Sequence, residues 1–255
     1  MSNVLTISGN QSGVGKSVVA LNLASALAVY EKKTLLIDCS PQGHVTSWMG
    51  LKPSNQAQDL STVMGGWSNL ATAIVGTQLR YLDMIPAGTQ LLSQSRKLSA
   101  QTANEKLLRL LLEESGSREY DYVIFDAPVS NRYLSLAAMT AADWLVPVLS
   151  PRLSCEDDVT ELIGDIRYIR KTHGTALKIA GFVFNRCQDK ADIHSFLVRE
   201  SLSNISDLIY DQYIPEHAAV RESIEEKKPL ILHDIKSLAS SAFLKVAREI
   251  DLIFK

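Results

Sequence analysis

Cysteine is scarce in this chain, and long apolar runs and excess charge are missing. Three cysteines, Cys39, Cys155 and Cys187, are scattered through 255 residues. No CxxC pair exists, which argues against a zinc or iron–sulfur centre and for reduced thiols in a cytosol. No window of about 18 residues is apolar and free of charge, so no membrane span is expected. The opening MSNVLTISGN lacks a basic flank and a small-residue cleavage site, so it does not read as a signal peptide. A cytoplasmic protein is the expectation. The formal net charge of −2 excludes a wholesale cationic coat for nucleic acid but not a local basic face. No linker, repeat or low-complexity tract interrupts the chain, and residues 1–255 are expected to form a single domain.

Short β-branched runs alternate with helix-period segments along the chain. Residues 4–8, 34–38, 81–86, 121–128, 144–150 and 178–185 read as strands, and 208–215 as a seventh. Their nearly continuous apolar character means burial on both faces, the mark of a parallel sheet covered by helices. Residues 16–30, 103–115 and 157–171 read as helices. Leu107, Leu108, Leu110, Leu111 and Leu112 give the second a broad apolar face, and Val159, Leu162, Ile163, Ile166 and Ile169 recur at helical spacing in the third. Short helices are expected within 50–80. The fold class is therefore α/β: a mostly parallel twisted sheet with helices on both faces.

After the first strand comes GNQSGVGKS, then an uninterrupted helix. That is the context of a phosphate-binding loop. Gly13 and Gly15 let successive backbone N–H groups turn inward toward phosphate oxygens, and the helix start near Lys16 adds its positive end. Ser12, Val14 and Val18 complete the cradle. Lys16 would sit against the β- and γ-phosphates, and the Ser17 hydroxyl would complete a Mg²⁺ shell. The glycine usual five residues before Gly15 is here Asn10. Asp126 ends the strand VIFDAP, where a carboxylate can hold Mg²⁺ through water; an aspartate there can equally be a turn or helix cap.

GVGKS, LLIDCSPQGHVTSW, LDMIPAG, FDAPVS, GFVFNR and IPEHAAVRES, in this order over essentially the whole chain, resemble the ParA/Soj/MinD family of deviant Walker P-loop ATPases. The opening is more similar to ParA than to MinD. The resemblance implies a homodimer that sandwiches ATP and Mg²⁺, ATP-dependent positioning of a cargo, a ParB- or McdB-like stimulating partner and nonspecific DNA binding.

Two positions depart from the family pattern. The signature KGGVGK[ST] begins with a lysine that reaches the partner's ATP; Gln11 stands there. The family's DxDPQG is here DCSPQG: Asp38 remains, and Ser40 replaces the carboxylate that orients water. Losing a charge-stabilising group from such a site can slow phosphoryl transfer roughly 10³–10⁵-fold. ATP binding is expected to persist, with slow hydrolysis. A cargo-positioning subset, the McdA type, also resembles this chain in lacking the lysine. Arg152 is the candidate replacement in trans, or else a solvated arginine at a strand-to-helix junction.

The resemblance also implies that Asn185, Arg186, Pro215 and Glu216 lie at the adenine, and that Asp158 lies beside the dimer interface. Asp38, Ser17 and Asp126 form the candidate metal set; Lys16, Asp38, Ser40 and Arg152 form the catalytic set. For DNA, residues 167–178 and Arg221, Lys227, Lys228, Lys236, Lys245 and Arg248 are candidates, although Glu222, Glu225, Glu226 and Glu249 dilute them. The five histidines read as surface or packing residues. The last helix, with Phe243, Val246, Ala247, Ile250 and Phe254 on one side, reads as core rather than a membrane tail. An ATP-binding adaptor without hydrolysis, or an ATP-dependent ligase on the same scaffold, are the alternatives.

Overall fold

A computed structural model describes residues 2–51, 58–101, 104–115 and 119–254. The strands among them are β1 (Asn3–Ser8), β2 (Thr34–Asp38), β3 (Val75–Gly76), β4 (Leu82–Ile85), β5 (Tyr122–Asp126), β6 (Trp144–Leu149), β7 (Lys178–Ile179), β8 (Val183–Cys187) and β9 (Ile214–Pro215). They form one sheet in the order β3-β4-β2-β5-β1-β6-β8-β9, with β7 also paired to β6. Every pairing is parallel except the β3–β4 edge.

The helices are α1 (Lys16–Val29), α2 (His44–Trp48), α3 (Leu60–Met64), α4 (Leu91–Ser99), α5 (Leu107–Glu114), α6 (Arg132–Ala141), α7 (Glu156–His173), α8 (Lys190–Arg199), α9 (Ala218–Glu225), α10 (Leu230–His233) and α11 (Leu238–Ile253). They cover both faces of the sheet. The two-residue period of each central strand divides its side chains between two cores. Leu36 and Ile124 pack with α1 and α11, whereas Leu35, Ile37, Val123 and Phe125 pack with α3 to α6. Burial on both faces requires the continuous apolar runs seen in the sequence.

Most expected elements are present within two residues, and the differences have physical causes. Segment 178–185 is two strands, β7 and β8. The chain jogs at Gly181, where a Cβ would lie 2.7 Å from the Tyr210 ring. Segment 208–215 contributes only the bridge of Ile209 to Phe182 and the short β9, because a 3₁₀ turn at Ser203–Leu208 consumes its approach. The helix expected over 103–115 begins on Ala103, outside the described residues; a 3₁₀ turn at Asn104–Lys106 then leads into α5. Its apolar face is narrower than the leucine run suggests, since Leu108 and Leu112 are buried while Leu110 is half exposed. Within 50–80, α3 is joined by the edge strand β3, too short to carry a period.

Helix α11 packs along α1 through Phe243, Val246, Ala247 and Ile250. Phe254 closes the end against Trp144, with ring centroids 5.0 Å apart. The last helix is thus core, as its pattern suggests. Among the described residues no helix is long and apolar enough to cross a membrane.

Candidate functional site

Between β1 and α1 the backbone turns through Gly13 (φ +81°) and Gly15 (φ +90°), a region that disfavours side chains. A Cβ on Gly15 would also collide with the Asn185 amide. Asn10 and Ser12, where glycine is usual, have no positive φ, so the loop closes without glycine there. Asn10 donates to Glu161 Oε2 on α7 at 3.2 Å instead. Helix α1 starts without a side-chain cap, leaving its first amides open toward the loop.

Two cavities meet at this loop and share Gly13, Gly15 and Val18. One, of about 320 Å³, is lined by Lys16, Ser17, Ser40, Gln42, Trp48 and Ser130 among others. The other, of about 740 Å³, is lined by Asn185, Arg186, Pro215, Glu216, His217 and Arg221 among others. The smaller recess thus adjoins a larger chamber beside β8 and β9.

Lys16 is buried, and its Nζ donates to the Gln11 carbonyl at 2.6 Å. Burial lowers its pKa to about 8, with the charges of Asp126 and Asp158 opposing that fall. Asp126 is fully buried, and neither of its oxygens has a hydrogen bond of ordinary geometry. Burial and the nearby Asp38 push its carboxyl up to about 7; the Ser17 hydroxyl and Lys16 ease it back. A buried carboxylate in this condition lies against the Ser17 hydroxyl, behind the recess that Lys16 and Ser17 line. Such a group fits a hard divalent cation, which prefers oxygen donors and retains waters. Ser17 and Asp126 are the side chains that could hold Mg²⁺ here.

Asp38 sits behind them and accepts three hydrogen bonds. Its Oδ2 accepts from the Thr46 amide at 2.8 Å and the Thr46 hydroxyl at 2.7 Å, and its Oδ1 from the Ser40 amide at 3.0 Å. These bonds brace the loop from β2 into α2, which carries Ser40 to the rim of the smaller cavity.

The AAA domain family model matches residues 2–179. Chromosome partitioning protein ParA of Caulobacter vibrioides is 32% identical over 248 residues, covering 97% of this chain and 93% of that one. Sporulation initiation inhibitor protein Soj of Bacillus subtilis is 28% identical over 250 residues, covering 98% of each. The chain belongs to the ParA/MinD family of P-loop ATPases. Among solved structures, apo McdA from Cyanothece superposes with a TM-score of 0.82 at 19% identity, covering 98% of this chain and 99% of that one. Cobyrinic acid a,c-diamide synthase from Mycobacterium smegmatis, with bound ATP analogue and magnesium, gives 0.85 at 21%, covering 100% and 96%. At these identities the two structures speak for the fold.

Against the family pattern, Gln11 spends its amide on the Leu153 carbonyl at 3.0 Å, tying the loop to the segment after β6. Arg152, on that segment, pairs with Glu216 at 3.3 Å. Glu216 also takes Arg186 at 3.1 Å, and Arg186 reaches the Gly13 carbonyl at 3.4 Å. Asn185 donates to the Val14 carbonyl at 2.7 Å, so one N–H of its amide is committed to the loop. Asp158 caps α7 by accepting from the Cys155 amide at 2.8 Å.

Of the DNA candidates, Arg170 donates to the Leu177 carbonyl at 2.9 Å and Lys178 lies over the Trp144 ring, so segment 167–178 is partly spent on the fold. Arg221, Lys227, Lys228, Lys236, Lys245 and Arg248 are exposed on α9 to α11 and the turns between them.

Sequence reasoning missed Gln42, Ser130, His44 and Trp48 at the recess. His44 stacks on Trp48, centroids 5.6 Å apart, and His217 caps α9 by accepting from the Ala219 amide at 3.2 Å. The signal for two of these, Gln42 and His44, was SPQGH, just after β2.

Proposed function

We propose that this ParA-family ATPase binds ATP with Mg²⁺ in the two joined cavities and closes around it as a homodimer that positions a cargo. The observation that carries the reading is Asp126: a wholly buried carboxylate with no hydrogen bond of ordinary geometry, near Lys16 and the Ser17 hydroxyl, at the open start of α1. The smaller cavity takes the phosphates, cradled by residues 12–18. The larger takes the base, with Asn185, Arg186, Pro215 and Glu216 around it. Mg²⁺ held by Ser17 and Asp126, with Asp38 as the brace behind, supplies charge neutralisation at the phosphates.

The relatives named as chromosome partitioning proteins support a positioning role, carried out from the cytoplasm by a single-domain switch. The exposed cations of α9 to α11 support nonspecific DNA contact, doubled in a dimer. A ParB- or McdB-like partner loads the cargo and stimulates turnover. Arg152, half exposed on the loop that Gln11 anchors, reaches across the dimer in place of the signature lysine.

A second reading, an ATP-binding adaptor that exchanges nucleotide without hydrolysing it, is favoured by Ser40 and Gln11 standing where the family has a carboxylate and a lysine. A ligase of the diamide-synthase kind requires a further small-molecule site, whereas triphosphate and base account for both cavities. Turnover measured beside dimer mass separates these readings, for wild type and Lys16→Ala, with and without ATP. ATP-dependent dimers with turnover, both lost in Lys16→Ala, support the switch. Dimers without turnover support the adaptor, and a monomer indifferent to ATP sinks both. DNA binding that appears only with ATP and fades with salt supports the positioning role.

A further inference from the structure

Hydrolysis needs a polar group that fixes the attacking water, and Ser40 is too short to replace a carboxylate. The structure shows what Ser40 does instead. Its hydroxyl, nearly buried, donates to Gln42 Oε1 at 2.8 Å. Gln42 Nε2 donates to the Ser130 hydroxyl at 3.1 Å, and that hydroxyl lies 3.4 Å from Oε1. Gln42 therefore spans the loops that leave β2 and β5, over a recess whose wall includes Lys16 and Ser17. The Asp38 carboxylate holds the Thr46 and Ser40 amides and the Thr46 hydroxyl instead.

We propose that Gln42, oriented by Ser40 and Ser130, positions the hydrolytic water in this chain; the proposal rests on the ATP-binding reading above. An amide offers two N–H donors and two acceptor lone pairs. Both Oε1 lone pairs face hydroxyls, Ser40 at 2.8 Å and Ser130 at 3.4 Å, and one N–H is spent on Ser130, which leaves one Nε2–H to donate to a water. A water held on that N–H has one lone pair committed and the other free to turn toward the phosphorus, the kind of orientation a glutamine provides in other nucleotide hydrolases. The water oxygen bonds to the γ-phosphorus as the bond to the bridging oxygen breaks, its electron pair staying on ADP. The water's protons pass to the released phosphate and to solvent. An amide takes no proton at neutral pH, so its contribution is orientation alone. Ser40 and Ser130 are positioning residues that fix which way the amide faces.

The test measures ATP turnover, ATP affinity and ATP-dependent dimer mass in parallel, with ATP and Mg²⁺ as the probe. In Gln42→Ala, turnover is expected to fall roughly 10- to 100-fold, with affinity and dimer mass within about twofold. Dimers should persist longer after ATP addition, a readout independent of the rate. Ser40→Ala and Ser130→Ala are expected to fall less, and Ser40→Ala added to Gln42→Ala to cost nothing more, since the groups act as a unit. Ser40→Asp in the Gln42→Ala background should recover turnover by restoring a water-orienting carboxylate. Gln42→Ala that turns over ATP at the wild-type rate with binding intact overturns the proposal alone. So does a wild type that binds and dimerises without turnover. A wild type that never binds ATP overturns the reading beneath it as well.

Discussion

Asp38 and Asp126 are Cα partners across the β2–β5 pair, two wholly buried carboxylates with unequal hydrogen bonding. Asp38 accepts three hydrogen bonds and holds a loop. Asp126 accepts none of ordinary geometry. Burial raises the carboxyls of both, and Asp38 raises Asp126 further. A fold keeps such a pair against its own stability when one member serves a ligand.

Asp126→Asn is therefore expected to stabilise the nucleotide-free protein while removing its response to Mg²⁺ and ATP. The carboxyl is pushed up from 3.8 to about 7 in the folded chain. Between those values the folded state keeps a proton that the unfolded state loses, so wild-type stability falls as pH rises through the window and stays lower above it. The relief is worth about 2–4 kcal/mol because the coupled pair shares it. Melting temperature should rise roughly 5–10 °C at pH 8, and the gain should vanish near pH 4. Calorimetry across pH checks this; an equal effect at both ends refutes it.

Proton exchange on binding should change sign with pH. Lys16 is lowered to about 8 by burial, and phosphate oxygens favour its charged form, so binding preformed Mg²⁺·ATP at pH 8.5 takes up part of a proton. Asp126 is already ionised there. At pH 6 the order reverses: Lys16 is already charged, and Asp126, raised to about 7, releases its proton to face the cation. Titration calorimetry in buffers of different ionisation enthalpy reads both signs. Uptake at pH 6 would contradict the assignment of Asp126.

The Asn185–Val14 bond should behave as part of the phosphate loop. Asn185→Ala leaves the buried Val14 carbonyl without its partner, a cost of about 1–3 kcal/mol, and should weaken ATP binding. Gly15→Ala places a Cβ against that same amide at φ +90°. The double variant removes the collision but not the strained φ, so it should recover only part of the loss. Thermal melts and ATP titrations of the four proteins give the coupling, expected at about 1 kcal/mol or more.

How much of this the sequence carried depends on the distance over which each feature is fixed. The central strands were legible because burial on both faces leaves no polar gaps, and the loop because Gly13, Gly15, Lys16 and Ser17 stand at fixed local spacing. Leu110 misled because a run of leucines does not say which of them face solvent. Asn185 was legible as a site residue but not as a partner of Val14, from which it is separated by 171 positions. The span from Gln42 to Ser130 joins loops 88 positions apart. Gln42 sits in DCSPQG two residues after Ser40, and nothing in that local pattern gives it a partner at Ser130. Contacts of that range are set by the order of strands in the sheet, here β2 beside β5, and no local pattern encodes them.

Glu216 gives the last prediction, because it holds Arg152 and Arg186 together at the mouth of the base cavity. All three side chains are about half exposed, at 50%, 47% and 47%. Exposed pairs of this kind contribute about 0–1 kcal/mol, so Arg152 leaves Glu216 at little cost. Its proposed contact with the partner's phosphates is charge-assisted and worth about 1.5–3 kcal/mol. Arg152→Ala is therefore expected to weaken ATP-dependent pairing about 10-fold or more, and Glu216→Gln to strengthen it by at most about 5-fold. Added salt should erode the first effect. Glu216 also borders the base, so ATP affinity must be measured on monomer, at concentrations below the pairing range, to isolate the dimer term. If Arg152→Ala pairs as well as wild type while Glu216→Gln fails to bind ATP, the arginine only steadies Glu216 and no cation crosses the dimer from this loop.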